Sequence, residues 1–282
     1  MTRPCDAPDW RKLSRAELDR GLNNGEAVAG SGETVAGWER QSAELRKRHP
    51  DHLDLRYGPG ERNRIDFLKV HDDAPTLLFI HGGYWQNRAK ENFTMFAEGP
   101  LGYGINVGLI GYTLAPDATL DAIVAEIHAG IDCLARELPG LGGDGKGLVA
   151  SGWSAGGHLT AMALSHPYVK AGMAISGIYD LEPIRASYLN VKLGLDEAMS
   201  RRNSPMAQAG GPMKPLSLVV GSSELPLLRK QTADFAGHRA QHGLPVTYEE
   251  IPGADHFSIM NELASPMGRI TTLIRQLFAR SG

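Results

Sequence analysis

Five short apolar runs constrain what this 282-residue chain can fold into: Thr76–Ile80, Asn106–Tyr112, Gly147–Ala150, Ala171–Gly177 and Leu216–Val220. The first is apolar without alternation, the pattern of a strand buried on both faces. Helical spacing separates the runs. Leu120, Ile123, Val124, Ile127, Ile131, Leu134 and Leu138 recur every three or four residues, which predicts an amphipathic crossover helix over 119–138. Residues 227–242 read as another helix. Ser265 as N-cap with Pro266 in the first turn predicts the start of a closing helix, with Ile270, Leu273, Ile274, Leu277 and Phe278 as its apolar stripe. Strands alternating with helices in this way predict a mainly parallel, doubly wound sheet with helices on both faces.

The flanking segments fit around that sheet. Leu53–Tyr57 and Ile65–Val70 alternate and are separated by Pro59-Gly60, so they read as an antiparallel pair at a sheet edge, with Val246–Tyr248 opening the last strand. Residues 1–52 read as an N-terminal helical arm or cap. Within it Ser14 and Glu17 match a capping box, 21–37 reads as Gly- and Asn-rich loop, and Val35, Trp38 and Leu45 mark a second short helix. Trp10 and Trp38 are candidates to pack at a pocket mouth, the alternative being an arm that only stabilises the fold. Residues 53–282 then form one catalytic domain. The irregular stretch around 181–215, with Met199, Met206 and Met213, reads as a lid insertion over a site.

Composition excludes several function classes. A formal charge of −3 gives no electrostatic case for nucleic acid or an anionic membrane. Cys5 and Cys133 form no C-x-x-C and read as reduced thiols of a cytoplasmic protein. Met1–Lys12 lacks the apolar core of a signal peptide, and no run approaches the roughly 20 apolar residues of a membrane span. Neither phosphate-binding glycine motif follows the first strands, and no Cys/His cluster suggests a metal, so no cofactor is expected. The expected partner is a small molecule. A homodimer stays open, since nothing in the sequence fixes the oligomeric state.

Chemistry in such folds sits at the carboxyl ends of the strands, and the candidates lie there. Gly152-Trp153-Ser154-Ala155-Gly156-Gly157 joins a strand to a helix, the setting in which G-x-S-x-G lifts a serine hydroxyl out of a sharp turn. Ser154 needs a base, because a hydroxyl is a weak nucleophile at neutral pH. His256 follows the last strand at the same sheet end, while His158, four residues after Ser154, reads as a packing or capping residue. Glu224 follows the 216–220 strand as the acid that orients the imidazole; Asp255 and Asp180 are the alternatives. Glycines in His81-Gly82-Gly83-Tyr84-Trp85 let backbone approach a substrate. They make the loop Gly82-Gly83-Tyr84, with the amide of Ala155 directly after the nucleophile, the candidate source of oxyanion donors. Gly82, Tyr84, Trp85 and Trp153 are the candidate substrate contacts, Tyr84 and Trp85 as an aromatic wall.

Three of these stretches, His81–Trp85, Gly152–Gly157 and Gly253–Phe257, resemble the kynurenine formamidase (arylformamidase) branch of the α/β-hydrolases, which adjoins the hormone-sensitive-lipase-like esterases. Tyr112-Thr113-Leu114-Ala115-Pro116 is similar to a segment of that wider group, and Glu224-Leu225-Pro226, with Arg229 and Gln231, to the stretch that begins with the family's acid. The resemblance covers residues 55–280. It implies the α/β-hydrolase fold, with Ser154 as nucleophile, His256 as base, the Glu224 position as acid and the amides of Gly83, Tyr84 and Ala155 around the oxyanion. It also implies cofactor-free hydrolysis of an N-formyl aromatic amine. Glu224 departs from the family's usual Asp. A broad small-molecule carboxylesterase or amidase is the first alternative, and a non-catalytic ligand-binding member of the fold is the second.

Overall fold

Eight strands carry the fold: β1 (Leu55–Arg56), β2 (Arg64–Leu68), β3 (Ala74–Ile80), β4 (Asn106–Ile110), β5 (Gly143–Trp153), β6 (Val169–Ile175), β7 (Leu216–Gly221) and β8 (Val246–Ile251). In the computed structural model, which describes residues 7–208 and 211–281, they form one sheet in the order β1-β2-β4-β3-β5-β6-β7-β8. β3 to β8 run parallel, and β2 pairs antiparallel with both β1 and β4.

Both faces of the sheet are covered, which is why β3 reads as an unbroken apolar run. Leu78 and Ile80 point into the core beneath the Leu120–Leu141 helix, alongside Ile123, Ile127 and Ile131. Leu77 and Phe79 point the other way, toward Phe93, Phe96 and the Ile270 and Ile274 stripe of the Arg269–Ser281 helix. At roughly 25 cal/mol for each Å² of apolar surface buried, these two layers are the main stabilising term.

The arm departs from the loop expected over 21–37. Helices span Arg15–Leu22, Asn24–Ala27 and Ser31–Arg48, and Gly30 in the left-handed region separates the last two. Tertiary contact outweighs the weak local propensity here: Leu18 and Leu22 join one core, Val35, Trp38 and Leu45 the other. The Ser14–Glu17 capping box is present at the first helix. The closing helix starts at Arg269 rather than at Pro266. Ser265 instead accepts from the Met267 amide in a turn, and Glu262 Oε2 accepts from the Arg269 amide. No helix among the described residues is long and apolar enough to cross a membrane.

Candidate active site

Ser154 sits between β5 and the Ala155–Ala163 helix with φ 57° and ψ −119°, a backbone conformation that costs a non-glycine residue about 1–3 kcal/mol. The tightness of this turn explains its glycines. A Cβ on Gly156 would overlap the Ile80 carbonyl, and one on Gly152 would overlap the Gly156 carbonyl. The Ser154 amide donates to Ile175 O at 2.8 Å, which ties the turn to β6. Ala155 is the first residue of the helix, so its amide lies at the positive end of the helix dipole.

His256 comes from the loop after β8. Its Nδ1 lies 2.7 Å from Glu224 Oε2, and both side chains are buried. Because an ionised carboxylate only accepts, Nδ1 carries the proton and Nε2 is left as the acceptor. Glu224 follows β7, and its other oxygen accepts from Ser176 Oγ at 2.5 Å and from the Gly221 amide at 2.7 Å. Trp153 Nε1 donates to the His256 carbonyl at 2.8 Å, and the two rings are 4.7 Å apart. The imidazole is thus fixed by its side chain and by its backbone.

The alternatives weighed from sequence have other partners. Asp255 Oδ1 accepts from the Phe257 and Ser258 amides, closing a loop turn. Asp180 Oδ1 accepts from the Glu182 amide. His158 Nε2 donates to Asn203 O at 2.7 Å, and burial pushes its pKa down to about 4. His81 behaves likewise. Its ring stacks on Tyr112 at 4.2 Å, its Nδ1 donates to Gly82 O, and burial holds its pKa at about 4.

A cavity of about 630 Å³, within the range of small-molecule sites, joins these parts. Ser154, His256, Gly83, Tyr84, Trp153 and Phe257 are among the residues that line it. Gly83, Tyr84 and Trp85 all have positive φ, 116°, 49° and 59°, and the amides of Gly83, Tyr84 and Ala155 have no protein acceptor among the described residues. The strained loop is held from outside. Tyr84 Oη donates to Leu22 O at 2.6 Å and accepts from Asn24 Nδ2 at 3.2 Å, and Gln86 Nε2 donates to Leu189 O at 2.7 Å.

Two of the expected substrate contacts lie elsewhere. Trp85 is fully buried, its ring edge-on to His158 at 5.0 Å, so it packs the core and is no wall of the cavity. Gly82 is buried beneath Trp153 and Ser154, where a Cβ would come within 2.7 Å of the indole. Nor do the insertion's methionines cover the cavity; of that segment Tyr188 lines it. Trp38 sits in an aromatic cluster with Phe96 and Trp153, and Trp10 lines a separate cavity.

Several site residues went unread in the sequence. Ser176 is one, although a small Ser-Gly pair at a strand's carboxyl end is a usable signal. Asn23, Asn24, Glu39, Arg88 and Asn92, which add polar groups to the cavity lining, carry no motif. Asp54, Asp66 and Glu91 come close enough together to hold a cation, and the Lys90 ammonium, bonded to all three, is that cation.

A family model described as BD-FAE matches residues 68–171. The chain is 32% identical to a kynurenine formamidase of Salmo salar over 248 residues, covering 81% of this chain and 82% of that protein. It is 29% identical to the kynurenine formamidase of Danio rerio over 245 residues, with the same coverage. Among solved structures, a protein of Silicibacter sp. TM1040 described provisionally as a thioesterase superposes with a TM-score of 0.84 at 25% identity. The match covers 92% of this chain and 99% of that one. A Pyrobaculum calidifontis esterase superposes with a TM-score of 0.69 at 16% identity, over 98% and 96% of the two chains, and shares the fold.

Proposed function

The chain belongs to the kynurenine formamidase family of α/β-hydrolases, enzymes that act on small esters or amides, and from that premise we propose that it hydrolyses the formamide bond of an N-formylated aromatic amine of the N-formylkynurenine type. The carrying observation is the buried His256 Nδ1 to Glu224 Oε2 bond of 2.7 Å, with Ser154 on the same cavity as His256.

Ser154 Oγ attacks the formyl carbon while its proton passes to His256 Nε2. The carbonyl oxygen becomes an oxyanion that accepts from the amides of Gly83, Tyr84 and Ala155. Such donors act because they are fixed before charge develops, and losing one costs about 10²–10³ in kcat. His256 then gives its proton to the leaving nitrogen, the C–N bond breaks and the arylamine departs. Water attacks the formyl ester, its proton returns through His256 to Ser154 Oγ, and formate leaves. Glu224 stays ionised and steadies the imidazolium in both halves. Residues 1–52 act as a cap and 181–215 as a lid of the 53–282 catalytic domain, a reading supported by Asn23, Asn24 and Tyr188 on the cavity wall. Cys133, a free buried thiol, fits a cytoplasmic setting.

The test is a substrate panel with Ser154→Ala. The wild type is expected to hydrolyse N-formylkynurenine faster than aryl acetates, with a phosphonate probe labelling Ser154 and the variant inert toward all of them. An active Ala variant ends the mechanism. A second reading, a small-ester carboxylesterase, is favoured by the esterase structural neighbours; it gains if aryl acetates turn over faster than the formamide.

A further inference from the structure

Ser176 directly follows β6, is fully buried and is not among the residues that line the active-site cavity. Its φ of 51° lies in the left-handed region, which glycine occupies freely and other residues occupy under strain. The backbone is nonetheless fixed, since the Ser176 amide donates to Val219 O at 2.8 Å. A glycine would make the same backbone bond without the strain, so the hydroxyl is what serine adds at this position. That hydroxyl donates to Glu224 Oε1 at 2.5 Å.

The acceptor sites of the carboxylate account for what the bond does. Oε1 offers two lone-pair sites, and the Ser176 hydroxyl and the Gly221 amide take both. Oε2 is thereby turned to His256 Nδ1 at 2.7 Å. The last torsion of a glutamate is broad, so a single donor does not select the angle at which the second oxygen meets an imidazole. Gly221 precedes Glu224 by three residues on the same segment. Ser176 comes instead from the end of the neighbouring strand and supplies the second, independent fix. We propose that Ser176 is a positioning residue of the reaction: its hydroxyl fixes the Glu224 carboxylate in the orientation that holds His256 for proton transfer. It acts through the acid and touches no substrate. The proposal rests on the hydrolase reading given above.

The experiment compares Ser176→Gly and Ser176→Ala with the wild type on N-formylkynurenine and on an aryl acetate. Both variants are expected to lower kcat by about tenfold with KM within about twofold, a tenfold change being the worth of one hydrogen bond to a charged acceptor. The glycine variant decides, because it relieves the strained φ and keeps the test open if the alanine variant does not fold. A glycine variant with wild-type kcat assigns Ser176 to the turn alone and overturns the proposal. So does a loss confined to KM. The same substitution is then made on Glu224→Gln, where no carboxylate charge remains to be held. There Ser176→Gly is expected to cost less than about twofold further. A loss on that background as large as on the wild type places the effect of the hydroxyl elsewhere in the fold and overturns the proposal as well. A wild type active on the aryl acetate alone refutes the formamidase reading and leaves the comparison intact on the ester. A wild type inert toward both and unlabelled by a phosphonate probe refutes the hydrolase reading, and this proposal with it.

Discussion

Tyr84→Phe separates what the arm does for stability from what it does for catalysis. The hydroxyl makes two bonds, to Leu22 O at 2.6 Å and from Asn24 Nδ2 at 3.2 Å, and both partners are buried. Removing it leaves a buried carbonyl and a buried amide N–H unpaired, at about 1–3 kcal/mol each. The expected loss is therefore roughly 2–6 kcal/mol in docking of the arm and the loop against each other. The loop has little to resist with, since Gly83, Tyr84 and Trp85 all occupy positive φ. Once released, the Tyr84 amide drifts from its place in the proposed oxyanion hole. Complete loss of such a donor costs about 10²–10³ in kcat, and partial displacement is expected to cost about 10- to 100-fold. Steady-state kinetics on N-formylkynurenine and on an aryl acetate, with limited proteolysis of the arm, measure both sides. The predicted result is a kcat loss shared by both substrates and faster cleavage within residues 15–48. A variant whose arm is cleaved faster while kcat stays within twofold would refute the coupling.

Two further outcomes are expected. Glu224→Gln should lower kcat by about 10³–10⁴-fold, because it loses the charge that stabilises the imidazolium. Asp255→Asn, which keeps an acceptor for the Phe257 and Ser258 amides, should leave kcat within about twofold, roughly 0.4 kcal/mol. The reverse pattern would move the acid to Asp255. In acid, stability should fall as pH drops from about 6.5 toward 4. His81 and His158 are buried neutral with pKa near 4, whereas the unfolded chain takes up their protons from about pH 6.5 downward. Each contributes roughly 3 kcal/mol of this loss by pH 4. Urea titrations at several pH values check it, and His158→Gln should make the slope shallower.

The doubly wound sheet was legible because its signals are local: strands covered on both faces must be continuously apolar, and Leu120–Leu141 repeats at 3.6 residues. The elbow was legible because the strand, the serine and the helix are contiguous. What escaped were contacts between distant segments. Nothing around Asn24 announces that it meets Tyr84, and nothing around Ser176 announces the Glu224 carboxylate. Trp85 shows the converse error. An aromatic residue beside an oxyanion loop invites a substrate-facing reading, but the positive φ at Tyr84 and Trp85 turns the indole into the core.

Glu224 stands where the family usually has aspartate, and the geometry around it accommodates the longer acid. An extra methylene matters only if it leaves the carboxylate free to swing. Here one oxygen is held by Ser176 Oγ and the Gly221 amide, and the other receives His256 Nδ1. Ser176, itself fixed by its amide bond to Val219 O, supplies from the end of β6 a donor that meets the longer side chain. The imidazole consequently finds its partner at 2.7 Å. Asn24, Glu39, Arg88 and Tyr188, contributed by the arm, the loop after β3 and the insertion, line the same cavity as Ser154 and His256, so they are the positions at which the proposed substrate preference is to be tested.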